Sequence, residues 1–421
     1  MMDVNKFKEF SSEEKAACLL VFFSPIFYLT LRGWTNAFYF LILCVSLIGV
    51  SARRGRYIGG ADRLTWLVII LFAAPFLAEL IAQLGRHTLS LRSLDSPSRF
   101  LGGALILLYF SRSRISKEIL FLFCLGACVG CTFTFVSVLT SQENFWSADR
   151  AATYFVDPNN LGFNILLLII CSVYLILHKG LHQGLKACIS LSVILGVYVL
   201  LVSGSRTSWF SFFVAVEVLL LVSFWKNRLL LFLAHLILIC SCIVFWGISD
   251  LFSKRLHELF EEISNVGLQS DGTSAGFRFR LFLLDLELVK QNYLFGTPDG
   301  NLPSFSELKT RIGWLNYRDY NMMVVAGAHS EFMAQLVRKG IVFGFAVLVS
   351  TFFYPAWFFA RRLRSVSRRE REIALMMVMI LASLLVSGWA IEFSNLKMNA
   401  SFLSILFAIS YSCFLSKNER S

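Results

Sequence analysis

The sequence predicts an all-α polytopic membrane protein of about twelve transmembrane helices, with one long periplasmic loop containing amphipathic helices. Three observations carry this. The chain is 57% hydrophobic and 16% charged, with a mean hydropathy of +0.67, whereas soluble domains run near 25% charged. Apolar stretches of roughly 20 residues, the length that crosses a bilayer core, recur from end to end. The basic residues behind the net charge of +12 sit in short connectors between these stretches. That distribution is a topology signal rather than a nucleic-acid surface.

The expected spans are 16–31, 34–50, 64–84, 100–110, 118–140, 157–177, 187–203, 207–224, 229–248, 329–359, 373–390 and 398–416. The fourth is short, so it is either re-entrant or extends into its flanks. The tenth is long, so it begins above the bilayer or tilts. With the N-terminus inside, the cytoplasmic loops hold 17 Lys and Arg and the short outer loops hold 7. The bias favours both termini inside. Residues 1–248 then carry spans one to nine, 249–328 form a long outer loop, and 329–421 carry spans ten to twelve and a cytoplasmic tail. The polar residues 1–15 and the absence of a small-residue cleavage site argue against a cleaved leader.

The ten cysteines (18, 44, 124, 128, 131, 171, 188, 240, 242 and 413) all fall in apolar runs. No disulfide framework is expected. Cys124, Cys128 and Cys131 share a helix face, where free cysteine acts as a small buried hydrophobe. Glu79, Glu217 and His235 lie inside spans and need partners, because a charge at the bilayer centre costs at least ~2.5–3.5 kcal/mol. Structural pairing is the expectation. No internal repeat links the two halves, unlike many transporters.

Four outer segments carry candidate chemistry. In the first, Arg150 is the only basic residue of its loop and Asp157-Pro158-Asn159 opens span six. Pro158 suits a helix start and Asp157 an N-cap, so a simply capped helix is the competing reading there. The second is the turn Ser203-Gly204-Ser205-Arg206, which holds Arg206 at the outer interface. A snorkelling arginine would look the same. The third runs from Gly276 through Arg278, Arg280 and Asp285 to Tyr293-Leu-Phe-Gly296. It reads as an amphipathic helix, with Phe282, Leu286 and Val289 at helical spacing, and a lid lying on the bilayer is the plainer alternative. The fourth, His329-Ser330-Glu331, opens span ten. Further along, Gly340 and Gly344 make a small-xxx-small pair for close helix packing.

Arginine stays charged and grips phosphate bidentately. Histidine takes a proton near neutral pH. A sugar on a lipid pyrophosphate leaves as an anion that surface arginines can stabilise, and His329 suits the base for an acceptor hydroxyl. The sequence has no Asp-x-Asp pair and no His/Cys ligand spacing, so neither a metal nor another cofactor is implied.

In order and spacing these segments resemble the O-antigen ligase and polymerase superfamily of bacterial envelope glycan transferases. The matching features are Arg150-x6-Asp157-Pro158-Asn159, Ser205-Arg206, a long loop, and His329 leading into a Gly-containing span. Arg278 lies eighteen residues before Gly296, as in the family's Arg…Pro-Leu-Phe-Gly run, with Tyr293 where the proline stands; Arg280 rivals it for that role. The likeness covers most of residues 85–345 and is strongest at 329–344.

The resemblance implies a GT-C-like fold and a metal-independent transfer from an undecaprenyl-pyrophosphate-linked glycan in the inner membrane. It implies Arg150 and Arg278 on the pyrophosphate and His329 on the acceptor. Arg206, Arg280, Asp157, Asn159, Ser205 and Glu331 are expected to bind substrate around them. Asp95-x-Pro97-x-Arg99, Tyr354-Pro355 and the Glu392–Asn399 turn are ligase-like. They favour transfer to a lipid A-core acceptor over the polymerase, the alternative within the superfamily. A lipid-linked glycan flippase is the alternative from another class.

Overall fold

The computed structural model describes residues 9–52, 62–141, 150–264, 274–298 and 330–415. Every regular element among them is helical. The first nine helices are α1 (Ser12–Ile26), α2 (Trp34–Ala52), α3 (Arg63–Gly85), α4 (Leu91–Arg112), α5 (Ser116–Thr140), α6 (Pro158–Leu177), α7 (Gln183–Val202), α8 (Arg206–Phe224) and α9 (Arg228–Ile248). The long connector contributes α10 (Asp250–Ser264) and α11 (Ser274–Gln291). After it come α12 (Glu331–Leu348), a π-turn (Val349–Phe353), α13 (Tyr354–Arg362), α14 (Arg368–Ser387) and α15 (Lys397–Leu415).

Eight segments among the described residues are long and apolar enough to cross a membrane. They are α2, α3, α5 from Glu118, α6, α7, α8, the run from Glu331 to Arg362, and α15. The other four expected spans coincide with α1, α4, α9 and α14; α1 is only 15 residues long, and α4 and α14 carry charges in their first turns and beyond. The fourth span, expected over 100–110, extends into its flank to span Leu91–Arg112. Its N-terminal charges are absorbed locally. Arg99 lies 2.6 Å from Asp95, and Lys397 pairs with the same carboxylate. The first span starts earlier than expected because Ser11 and Glu14 form a capping box.

α6 and α15 lie innermost, with 78% and 83% of an 18-residue window buried, against 22% for α7 and for α8. The outer helices therefore present Leu191, Ile194 and Phe210 outward, a surface that lipid covers. At the centre Tyr28 Oη lies 2.8 Å from Oδ1 of both Asn164 and Asn399. One hydroxyl carries one proton, so it donates to one amide and accepts from the other's amino group. This joins the turn after α1 to α6 and α15. Cys124, Cys128 and Cys131 are buried and free. The spans' charges are paired as expected: Glu79 with Lys339 at 3.1 Å and Arg86 at 3.8 Å, and Glu217 with His235 at 2.8 Å.

The tenth span departs most from expectation. α12 is broken at Gly340, whose φ is +75° and ψ 175°. The turn after α11 fills the break. Ile341 N donates to Tyr293 O at 2.8 Å, and Thr297 N donates to Val337 O at 2.6 Å. Arg86 Nη1 donates to Phe295 O at 2.6 Å and to Arg338 O, so one cation closes two exposed carbonyls. A Cβ on Gly344 would come within 2.6 Å of Gln335 O. The two glycines thus fold the span back on itself; they do not pack it against a separate helix.

A Cβ on Gly340 would collide with the carbonyls of Leu294 and Tyr293, the latter at 2.7 Å, in a backbone region that side chains rarely adopt. Gly340→Ala is expected to cost about 3 kcal/mol of stability, read as a lower unfolding midpoint in detergent. Gly180→Ala, with open space around it, should stay within about 0.5 kcal/mol of the parent.

Candidate active site

The Arg150 loop, the start of α6 and the turn before α8 form one packed unit. Asp157 caps α6 as expected, accepting from Asn159 N at 3.0 Å and Asn160 N at 3.2 Å, with Pro158 in the first turn. Ala151 N donates to Val202 O at 2.9 Å. Arg150 is then clamped: Nε donates to Ser203 O at 2.9 Å and Nη2 to Asn159 Oδ1 at 2.7 Å. Gly204, at φ +61°, lets its stem pass, since a Cβ there would lie 3.2 Å from Arg150 Cγ. Gly162 of α6 does the same for Ser203, Ser205 and Ser208. Ser205 is buried, its Oγ 2.8 Å from Ser208 Oγ, and Arg206 follows as the first residue of α8.

Charge converges on this unit from the long connector. Burial, together with the like charges of Arg255, Arg206 and Arg278, pushes the Arg150 guanidinium down to about 10, with Asp157 opposing. It stays protonated at neutral pH. Three further arginines near enough to act on Arg150 repel it, and an anion with several oxygens relieves that repulsion while accepting bidentate bonds. Sequence reading missed Arg255. It sits on α10 beside Phe252, whose ring packs on Trp209 at 4.9 Å between centroids, and it pairs with Glu258 at 2.8 Å. The Phe252/Leu256 stripe of that helix was the available signal.

Two residues along α11 is a rotation of about 200°, so Arg278 and Arg280 point to opposite flanks. Arg278 is half-buried and acts on Arg150, whereas Arg280 is buried. α11 packs on the first half of α12 rather than lying on a flat bilayer. Its buried face is Phe277, Leu281, Leu284 and Leu288 against Met333 and Val337. Phe282 and Leu286, expected within that face, are only partly buried at its edge.

His329 lies outside the described residues. Its neighbour Ser330 caps α12 and donates to Gly388 O at 3.2 Å, where Glu331 N also donates at 2.8 Å. Ser387 is bonded in turn to Ser211 of α8 at 2.7 Å. Ser211 is five residues from Arg206, roughly 7.5 Å along the helix. The mouth of α12 therefore opens beside the arginine cluster. Glu331 is turned away from it: the carboxylate is buried and accepts from Phe393 N and Ser394 N, both at 3.0 Å.

Residues 191–349 match the family described as O-antigen ligase. The match covers Arg206, Arg255 and Arg278 and supports the O-antigen ligase/polymerase superfamily, in line with the motif resemblance. In broad terms it supports an O-antigen ligase-type function, and with the apolar helices it suggests a multi-pass membrane glycosyltransferase-like enzyme. No curated protein matches the chain.

Asp285 on α11 is buried, and neither carboxylate oxygen has a hydrogen-bond partner among the described residues. Burial pushes its carboxyl from 3.8 up to about 8, with Arg338 opposing. A raised folded-state value means that this group's stabilising contribution is complete below 3.8 and is lost as pH climbs through about 8. Melting midpoints should accordingly fall between pH 5 and pH 8.5, and Asp285→Asn should flatten that slope.

Proposed function

We propose that the chain is an O-antigen ligase. It transfers an undecaprenyl-pyrophosphate-linked polysaccharide to a lipid A-core acceptor at the periplasmic face of the bacterial inner membrane. The observation that carries this is the convergence of Arg150, Arg206, Arg255 and Arg278 at one end of the bundle, three of them inside the O-antigen ligase match.

In the reaction the bond between the donor's anomeric carbon and the pyrophosphate oxygen breaks. The acceptor hydroxyl oxygen forms the new glycosidic bond, its proton goes to His329, and undecaprenyl pyrophosphate leaves with the electron pair. Arg150 and Arg278 grip the pyrophosphate as its charge grows, with Arg206 beside them. Asp157, Asn159 and Ser205 hold those arginines in place. Arg280 and Glu331, both buried, position α11 and the mouth of α12.

The break in α12 favours a second reading, since transporters place discontinuous helices at their substrate sites. Here the break is filled by the chain's own turn from Tyr293 to Thr297, so the chain itself satisfies the broken backbone, which supports the transferase.

With purified protein, lipid-linked donor and lipid A-core acceptor, transfer should proceed without any gradient. Arg150→Ala or Arg278→Ala should slow it about 100-fold or more, and His329→Ala by a similar factor. Full transfer by His329→Ala would remove the assigned base. In cells lacking the chain, lipid A-core without O-antigen supports the ligase, and core bearing a single repeat unit indicates the polymerase. Unchanged lipopolysaccharide contradicts both.

A further inference from the structure

A second candidate site shares no lining residue with the arginine cluster. A cleft of about 670 Å³ opens between the α3–α4 hairpin, the turn ending at Thr297-Pro298, and the start of α15. That volume is in the range of small-molecule sites. Arg86, Arg92, Arg338 and Lys397 line it, and Glu79 is the one carboxylate among its lining residues. Lys339 stands behind Glu79 at 3.1 Å. Glu392 and Asp95 pair with Arg338 and Lys397 from behind. The basic groups thus outnumber the carboxylates around the cleft. Arg92 is exposed on its wall.

The backbone adds to this field. The first turn of α4, through Ser90, Arg92 and Ser93, and the first turn of α15, at Leu396 and Lys397, both face the cleft. Helix N-termini favour anions. Ser90 gives α4 no side-chain cap; its N–H donates to Gln83 Oε1 at 2.8 Å and its Oγ accepts from Ser93 Oγ at 3.3 Å. Thr88, Ser93 and Asn395 supply hydroxyl and amide groups suited to sugar hydroxyls. At the rim Leu89 and Leu91 are 66% and 77% exposed, a position natural for side chains resting among acyl chains. A polar, cationic pocket with an apolar lip fits a lipid whose head is a phosphorylated sugar.

The geometry points to this cleft as the binding site for the phosphorylated sugar headgroup of the acceptor glycolipid, separate from the arginines assigned to the donor. The inference rests on the ligase reading. The spacing suits it: Arg338 lies seven residues along the half-helix from Glu331, roughly 10 Å from the start of α12. An acceptor anchored by its phosphates at Arg92 and Arg338 would present a sugar further along its chain to that mouth.

The test measures binding without donor, so it is independent of transfer. The full-length protein in phosphatidylcholine nanodiscs is titrated with bisphosphorylated lipid A and with the same lipid stripped of both phosphates. Phosphatidylglycerol and inorganic pyrophosphate serve as competitors. The bisphosphorylated form should bind about tenfold more tightly than the stripped form, the effect of a lost charge-assisted contact worth about 1.4 kcal/mol. Arg92→Glu, at an exposed position, should lose about that factor. Arg92→Lys should retain most of the affinity, and Arg150→Ala should bind lipid A as the parent does. Equal affinity in Arg92→Glu and the parent overturns the proposal. So does equal competition by phosphatidylglycerol, which would mark a general anionic-lipid surface, or by pyrophosphate, which would mark a phosphate site without sugar recognition. If lipid A binds as expected and no transfer is ever seen, the ligase reading fails while the cleft stands.

Discussion

The break in α12 at Gly340 organises the end of the molecule where both sites lie. A helix interrupted inside a membrane protein exposes carbonyls and N–H groups that lipid cannot satisfy. Here the turn from Tyr293 to Thr297 supplies bonds to Val337 and Ile341, and Arg86 caps Phe295 and Arg338. Those contacts fix the end of α11 against the half-helix that begins at Glu331. They hold Arg278 towards Arg150 on one side and Arg338 towards the cleft on the other. A straight span at this position would leave the turn after α11 without its partners at Val337 and Ile341.

Charge is handled differently at the two depths of the protein. Within the helical bundle charges sit in opposite pairs: Glu79 with Lys339, Arg338 with Glu392, and Glu217 with His235. Burying an unpaired ion there would cost several kcal/mol. At the end of the bundle like charges are also brought near one another: Arg255, Arg206 and Arg278 all act on Arg150, with Asp157 opposing. Their mutual repulsion is a cost to the free protein, and an anionic ligand offsets it. Asn159 and Ser203 hold the Arg150 fork in a set direction, so the side chain does not lose rotamer entropy again when it binds.

Much of this was legible in the sequence because lipid imposes simple rules. Apolar runs located the helices to within a few residues, and Asp157-Pro158 marked the start of α6. The glycines misled, because a small residue repeating at four-residue spacing has the same appearance in a packing face and in a fold-back. Only the position of the 293–297 turn distinguishes them, and that contact is set by tertiary structure. For residues 91–99 the choice between a re-entrant segment and an extended helix stayed open, because the partners of Asp95 include Lys397, some 300 residues away. Arg255 was overlooked for a related reason: its importance comes from Phe252 docking on Trp209, a contact between distant segments. Of the expected stripe Val289 is buried in the core of α11 and Phe282 and Leu286 pack at its edge, since how deeply each is buried depends on what α11 packs against.

The account turns on the arginine cluster as a diphosphate site. The most direct measurement is the affinity of the purified protein for undecaprenyl diphosphate and for undecaprenyl monophosphate, compared between the parent, Arg278→Ala and Arg280→Ala. The diphosphate should be preferred in the parent and in Arg280→Ala, and that preference should vanish in Arg278→Ala. Equal affinity of the parent for the two lipids, or a preference that survives Arg278→Ala, would contradict it.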